Sequence, residues 1–391
     1  MTTAATDVPD PREFPDAGAA TPDAARLYAL ADASLAAETG QRADALDLEI
    51  RSALLQRLSG DGAALAAVFA GAPTVAVTRH LWRQLDAAWR EAALEIEAGL
   101  AVTVFALPLV IVTGLEGTSG EGTLPGILDD PGQLAAILRE HGSLAGNRTF
   151  ALANALVGAD AIDIARLPEI LAWQRLPDSF ASCAALPARV LAPAPLMVAA
   201  GREGAHLRFL VGSALAQPGA DLLADATVGK WGVPFTQALG RQLGAGQVPV
   251  LALPRAPQRL LPAVRQGRVA QREVGAQIFV SNAIRKLRAS VGEPTAVISA
   301  HRAPDAPGGG ELRLSLSLPF EPRDAEGFRC PLYPLDRVGD VVTMLTDLLH
   351  DCRVTDIRMI DGVHADLDAA TGLPLFFKPD AIPGATSIVV H

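Results

Sequence analysis

Between Ala98 and Leu115 the sequence reads AGLAVTVFALPLVIVTGL, eighteen residues without a charged side chain. Such a run has to leave water, either for lipid or for a protein interior. A spanning helix needs about twenty apolar residues, and this run is shorter and carries Pro108 near its centre. It is crowded with β-branched residues (Val102, Thr103, Val104, Val110, Ile111, Val112, Thr113), which fit a pleated strand better than a helix. The nearest basic residues, Arg90 and Arg139, are too distant to fix a membrane orientation. The run therefore reads as one or two buried strands over 101–113, broken near Pro108, lying between protein layers.

The surrounding pattern predicts an α+β (or α/β) chain in two parts, following an N-terminal tail over 1–20 that is flexible unless a partner orders it. Residues 21–186 read as mainly helical, with 101–113 as the exception. Thr21–Pro22 sets a cap with proline in the first turn. TRHLWRQLDAAWREAALEIEAG places Leu81, Leu85, Trp89, Ala92 and Ile96 on one helical face. Helix is also expected through DDPGQLAAILREHG, NRTFALANALVGAD and AIDIARLPEILAWQR. From 187 to 391 the pattern becomes mixed, with apolar runs such as HLRFLVGSAL, QVPVLALP, TAVISAH, ELRLSLSLPF, VTDIRMIDGV, LPLFFKP and TSIVVH between helices.

Two stretches of this second half, 196–253 and 296–360, read as a repeated ββαβ unit. Leu207–Arg208 matches Leu312–Arg313, and Leu239, Leu243, Val248 and Leu251 match Leu345, Leu349, Val354 and Ile357. Both stretches use the commonest apolar residues, so coincidence stays open as the alternative.

Charge narrows the partners. A net charge of -10 and a pI near 5.2 oppose general affinity for nucleic acid, which rests on clustered cations releasing counterions. Arg255 to Arg272 (RAPQRLLPAVRQGRVAQR) is the one basic stretch and reads as a solvated helix face. Cys183, Cys330 and Cys352 include no CxxC pair and no zinc spacing. They read as reduced thiols in the cytoplasm. The N-terminus shows neither the basic nor the apolar region of a secretory signal. No cofactor or metal is expected, and no membrane span.

Candidate chemistry is sparse. GLEGTSGEGT, Gly114 to Thr123, has the glycines of a phosphate cradle, but it lacks the GK[ST] ending and carries Glu116 and Glu121, which repel phosphate. DGVHADLDAATG, Asp361 to Gly372, gathers His364 with Asp361, Asp366 and Asp368. That set suits a metal or a general base, but its spacing matches no metal motif, and turn chemistry accounts for the composition. Ser119 and Ser213 lack the GxSxG setting of an activated serine. Cys183 sits among small and apolar residues with no base beside it.

SVGEPTAVISAHRAPD, Ser290 to Asp305, resembles the glycine–proline–strand–SAHRTPD segment of class I aminoimidazole carboxylate mutases. The resemblance covers about sixteen residues and implies a carboxylate-transfer role for His301, with Arg302 and Asp305 beside it. The family's GSxSD phosphate loop is missing upstream. PGGGELRLSLSL, which reads as the second arm of a hairpin, stands in place of the following helix. The reading of the residues themselves is a polar turn with His301 at a strand end.

The function expected from these features is a non-enzymatic assembly or scaffold subunit of a cytoplasmic complex, whose partner is a second copy or another protein. The alternative is an enzyme whose site is built from the distant loops 114–123 and 361–368. No catalytic or cofactor-binding residue is assigned.

Overall fold

The computed structural model describes residues 10–12, 21–93, 95–97, 99–114, 122–141, 149–183, 186, 191–198, 203–217, 228–244, 248–253, 259–288, 293–303, 309–318, 326–364 and 387–390. The fold is α+β. It opens with α1 (Pro22–Leu35), α2 (Gly40–Leu58), α3 (Gly62–Ala70) and α4 (Val75–Glu91), followed by β1 (Glu95–Glu97), β2 (Leu100–Thr113), β3 (Gly122–Leu124), α5 (Pro131–Glu140), β4 (Phe150–Val157) and α6 (Leu167–Gln174). Next come β5 (Leu196–Val198), β6 (Gly204–Ala216), α7 (Val228–Leu243), β7 (Val250–Ala252) and α8 (Leu260–Arg288). The chain closes with β8 (Thr295–Arg302), β9 (Gly310–Ser317), β10 (Glu326–Pro331), α9 (Val338–Asp351), β11 (Asp356–His364) and β12 (Ser387–Val390).

Local chemistry sets several of these boundaries. Thr21 Oγ1 accepts the Ala24 amide at 3.3 Å, with Pro22 in the first turn of α1. Asp130 Oδ1 accepts the Gln133 amide at 2.9 Å at the start of α5. Leu81, Leu85, Trp89 and Ala92 are buried as expected, but α4 stops at Glu91 and Ile96 belongs to β1. FALANALV is likewise strand β4 and not helix. There the open edge of β6, where residues between Phe209 and Ala214 pair with β4, overrides the helical preference of alanine and leucine.

The chain forms two compact units: Met1–Ala19, Ala72–Arg79 and Arg272–His391 make one, and Ala20–Gly71 with His80–Gln271 make the other. This division does not follow the 186/187 boundary. The larger unit is built on a sheet of order β1-β2-β6-β4, with β7 pairing the far end of β2. All of its pairs are antiparallel.

β2 runs unbroken through Pro108, contrary to the expected break. From Ala101 to Thr113 it pairs β6 without a slip, Pro108 standing opposite Phe209. On the other flank, Val112 N–H donates to Pro249 O at 3.0 Å. Hydrogen-bonding direction alternates along an antiparallel strand, so the Pro108 nitrogen also points to that flank. There β1 pairs only Leu100 and Ala101, and β7 only Leu109 to Ile111. Proline thus lies where no ladder bond is needed. Among the described residues no helix is long and apolar enough to cross a membrane.

Both faces of β2 are covered. Phe105, Leu107, Leu109 and Ile111 join a core with Leu134 and Leu138 of α5 and Trp231, Phe235 and Leu239 of α7. On the opposite face α8 comes close through Gly267, where a Cβ would stand 3.0 Å from Pro108 Cβ and 2.9 Å from Phe209 Cζ. The basic stretch leading into and along α8 is more than a solvated face. Arg259 pairs with Asp86 at 2.5 Å and Arg268 with Asp163 at 3.3 Å.

The smaller unit holds the sheet β10-β9-β8-β11-β12, antiparallel except for the parallel pair β8 and β11. The second stretch of the proposed repeat is therefore a ββαβ unit extended by β10. The first differs, because β5 pairs β3 and not β6, and β7 runs antiparallel to β2.

In the same unit the loop before α9 is fastened by three arginines. Asp336 carboxylate accepts the Tyr333 amide at 2.8 Å and pairs with Arg272, while its carbonyl accepts Arg79 Nη2 at 2.7 Å and Arg12 Nη2 at 2.9 Å. Arg12 Nη1 also donates to Tyr333 O at 2.7 Å. Residues 10–12 of the expected flexible tail are thus tied down, since two main-chain carbonyls take up the guanidinium.

Gly212 of β6 stands opposite Phe105, and a Cβ there would lie 2.3 Å from Phe105 Cζ and 2.8 Å from Ala151 O. Overpacking of this kind costs about 1–3 kcal/mol. Gly212→Ala is expected to lower unfolding free energy in urea by that amount with an unchanged m-value.

Candidate functional site

Among the described residues, polar side chains gather along one face of the smaller unit's sheet. Strict alternation in TAVISAHR and GELRLSLS sends Ala296, Ile298, Ala300, Leu312, Leu314 and Leu316 to one side, where they pack with α9 and the C-terminal half of α8. The register places Thr295, Ser299, His301, Glu311, Arg313, Ser315 and Ser317 on the other side. A polar face on an antiparallel sheet ordinarily meets solvent. This one is shielded: each of these seven side chains is buried, His301 completely.

Burial forces pairing. Glu311 Oε1 accepts Arg313 Nε at 2.6 Å, and Oε2 accepts Arg329 Nε from β10 at 2.7 Å. Arg313 is 1% exposed and Glu311 2%, whereas Arg329 reaches 43%. Ser299 Oγ and His301 Nε2 lie 2.8 Å apart. At the other end of the face, Thr295 Oγ1 donates to Asp356 at 3.0 Å and Arg358 Nε at 2.9 Å. These donors, Arg358 first, hold the Asp356 carboxyl below the usual carboxylate range.

The structure brings together two residues that the sequence offered separately. His301 on β8 and His364 on β11 are register partners in the parallel pair, following an irregularity between Met359 and Val363. Asp361 to His364 thus belong to a strand and not to the expected turn, because β8 extends to Arg302 and supplies partners for the backbone. Asp305, Asp366 and Asp368 lie outside the described residues. Arg302 is exposed at the end of β8. Beyond His301 the chain returns as β9 in a hairpin, where the carboxylate-mutase segment would continue as a helix.

The loop 114–123 is described only at Gly114 and from Gly122, which opens β3; Ser119 lies outside the described residues. Ser213 is buried within β6. Cys183 is buried beneath β4, its thiol 3.5 Å from Ala151 O, and burial pushes its pKa up while Ser213 partly offsets this. Cys330 is fully buried and pushed up to about 12, chiefly by desolvation, with Arg272 opposing. Neither thiol has thiolate character at neutral pH. Among the described residues, no three His, Cys, Asp or Glu side chains gather closely enough to hold a metal ion.

Sequence reasoning missed one constellation in the larger unit. Asp47 of α2 accepts Ser34 Oγ of α1 at 2.6 Å and Gln84 Nε2 of α4 at 2.6 Å, and meets His80 Nε2 of α4 at 2.8 Å. Arg83 Nη2 approaches His80 Nδ1 at 3.4 Å. A guanidinium only donates, so Nδ1 accepts and Nε2 carries the proton toward Asp47. The carboxylate is engaged by three donors and joins three helices. The i, i+4 spacing of His80 and Gln84 was the only signal in the sequence, and nothing in it pointed to Asp47.

No protein-family model, no curated protein and no solved structure matches this chain.

Removing one partner of a buried ion pair strands the other, at about 3–5 kcal/mol. Glu311→Ala is expected to destabilise the protein by that amount in chemical denaturation. Arg329→Ala, at the exposed end of the same cluster, is expected to cost less than about 1 kcal/mol.

Proposed function

We propose that the protein is a non-enzymatic assembly subunit that self-associates in the cytoplasm. One observation carries this reading. Seven large apolar side chains are exposed among the described residues, and all of them, Ile127, Met197, Val233 and Leu251 included, belong to the larger unit. Met197 is 75% exposed on β5, although its neighbours Leu196 and Val198 are buried in that core. Ile127 is 56% exposed beside Gly126, whose backbone abuts Ala194 and Pro195 just ahead of β5. Large apolar groups left exposed on one unit are commonly covered by another copy. The polar clusters support the same reading, since their charges are spent on each other.

Light scattering across a dilution series tests the proposal. The expected result is an oligomer that dissociates on dilution, with Met197→Glu/Ile127→Glu raising its dissociation constant at least about tenfold, or 1.4 kcal/mol. A monomer at every concentration would overturn it.

The second reading, an enzyme, draws on the register of His301 and His364. Ligands of parallel strands gather at their carboxyl ends, and both histidines stand near those ends. On this reading, small anions or divalent metal ions raise the melting temperature of the native chain and fail to do so for His301→Asn/His364→Asn. Equal response of both proteins to every ligand class would remove it.

A further inference from the structure

The arm Asp10–Arg12 is a small, self-contained plug. Asp10 and Arg12 form a two-pronged pair, Arg12 Nε to Oδ1 at 2.7 Å and Nη2 to Oδ2 at 2.5 Å, and the Arg12 amide also donates to Oδ1 at 3.0 Å. Its charge is therefore neutralised within three residues, and Pro11 fixes the backbone between them. The segment reaches its seat already shaped, which lowers the entropic cost of docking.

The seat is equally specific. Arg12 donates to the carbonyls of Tyr333 and Asp336, a loop held in place by Arg79 and Arg272 without help from the arm. Pro11 rests on Gly310, where an added Cβ would lie 2.7 Å from Pro11 Cγ and 3.3 Å from Pro11 Cβ. Any side chain at 310 would occupy the place of the proline ring. Arg12 is 6% exposed in this seat and Asp10 14%.

Resting on the assembly reading above, we propose that Asp10–Arg12 is an exchangeable arm: the socket made by Gly310 and residues 333–336 of one copy receives the arm of a second copy. The described contacts between arm and socket are made by Pro11 and Arg12, so an arm from another chain can make the same contacts as the chain's own. Covalent linkage favours the intramolecular arrangement. That advantage is an effective concentration, which assembly on other surfaces offsets.

The closeness of Pro11 and Gly310 supplies the test. A separation of 3.3 Å between Cβ positions is just under the usual disulfide range of about 3.5–4.5 Å, and replacing proline removes its ring carbon. Two full-length chains are prepared in a Cys352→Ser background, one with Pro11→Cys and a size tag, the other with Gly310→Cys. They are mixed under mild oxidant. Exchange predicts a covalent dimer of the two different chains, with yield falling about tenfold when Arg12→Ala is added to the arm-bearing chain, as expected for losing charge-assisted hydrogen bonds. Closure only within a doubly substituted chain, together with an oligomer by light scattering, overturns arm exchange and leaves assembly standing. A monomer at all concentrations removes both. Should Gly310→Cys fail to fold, Arg12→Ala alone decides: exchange predicts about tenfold weaker self-association at unchanged far-UV dichroism, and an unchanged association constant refutes it.

Discussion

A strand of fourteen residues buried on both faces is the constraint from which the larger unit follows. β2 has no solvent side to offer, so each of its neighbours is chosen by what it must cover or pair. β6 supplies an unbroken ladder, and α5 with α7 fills one face. α8 closes the other through a glycine that lets it approach Pro108 and Phe209. Even the proline is placed by this logic, facing the flank on which β1 and β7 leave a space between them. A ladder of this length, with apolar layers on both sides, brings burial and main-chain hydrogen bonding to the same residues.

The smaller unit solves a different problem. Its sheet has an apolar face under α8 and α9 and a polar face that is nevertheless shielded, so Glu311 and Arg313 exchange hydration for each other, and His301 and Ser299 do the same. Such networks are seldom a net gain over hydrophobic packing, but breaking them is expensive. Glu311 holds two guanidiniums, one on each carboxylate oxygen. The same closure appears at Asp47. Among the described residues, the carboxylates of Glu311 and Asp47 fasten elements to one another, whereas several large apolar side chains stay exposed.

Much of the architecture was legible in local chemistry. The cap at Thr21, the buried face of α4 and the strand character of Val102 to Thr113 follow from residue types at fixed spacing. Two kinds of information were not local. Alternation in ELRLSLS assigns side chains to faces but is silent on whether the polar face meets water, so a buried ion network looked like an ordinary half-exposed strand. FALANALV was assigned to helix because alanine and leucine favour it, and only the unpaired edge of β6 makes it a strand. For the candidate site, His301 and His364 were each visible alone. Their registry depends on a parallel pairing across 62 intervening residues, for which no short pattern exists. The duplication signal arose from shared hairpin-like spacing, whereas β5 took β3 as its partner.

The interleaving of the two units has a consequence for how the protein is made. The larger unit is complete once Gln271 has been synthesised, but the smaller one needs the arm, residues 72–79 and everything from Arg272 onward, down to the strand Ser387–Val390 that pairs β11. Its earliest pieces therefore leave the ribosome long before their partners exist. Until residues 333–336 have been synthesised, Arg12, Arg79 and Arg272 lack the loop that they fasten. Vectorial synthesis thus completes the segments of the larger unit before those of the smaller one, whose early pieces wait for sequence-distant partners.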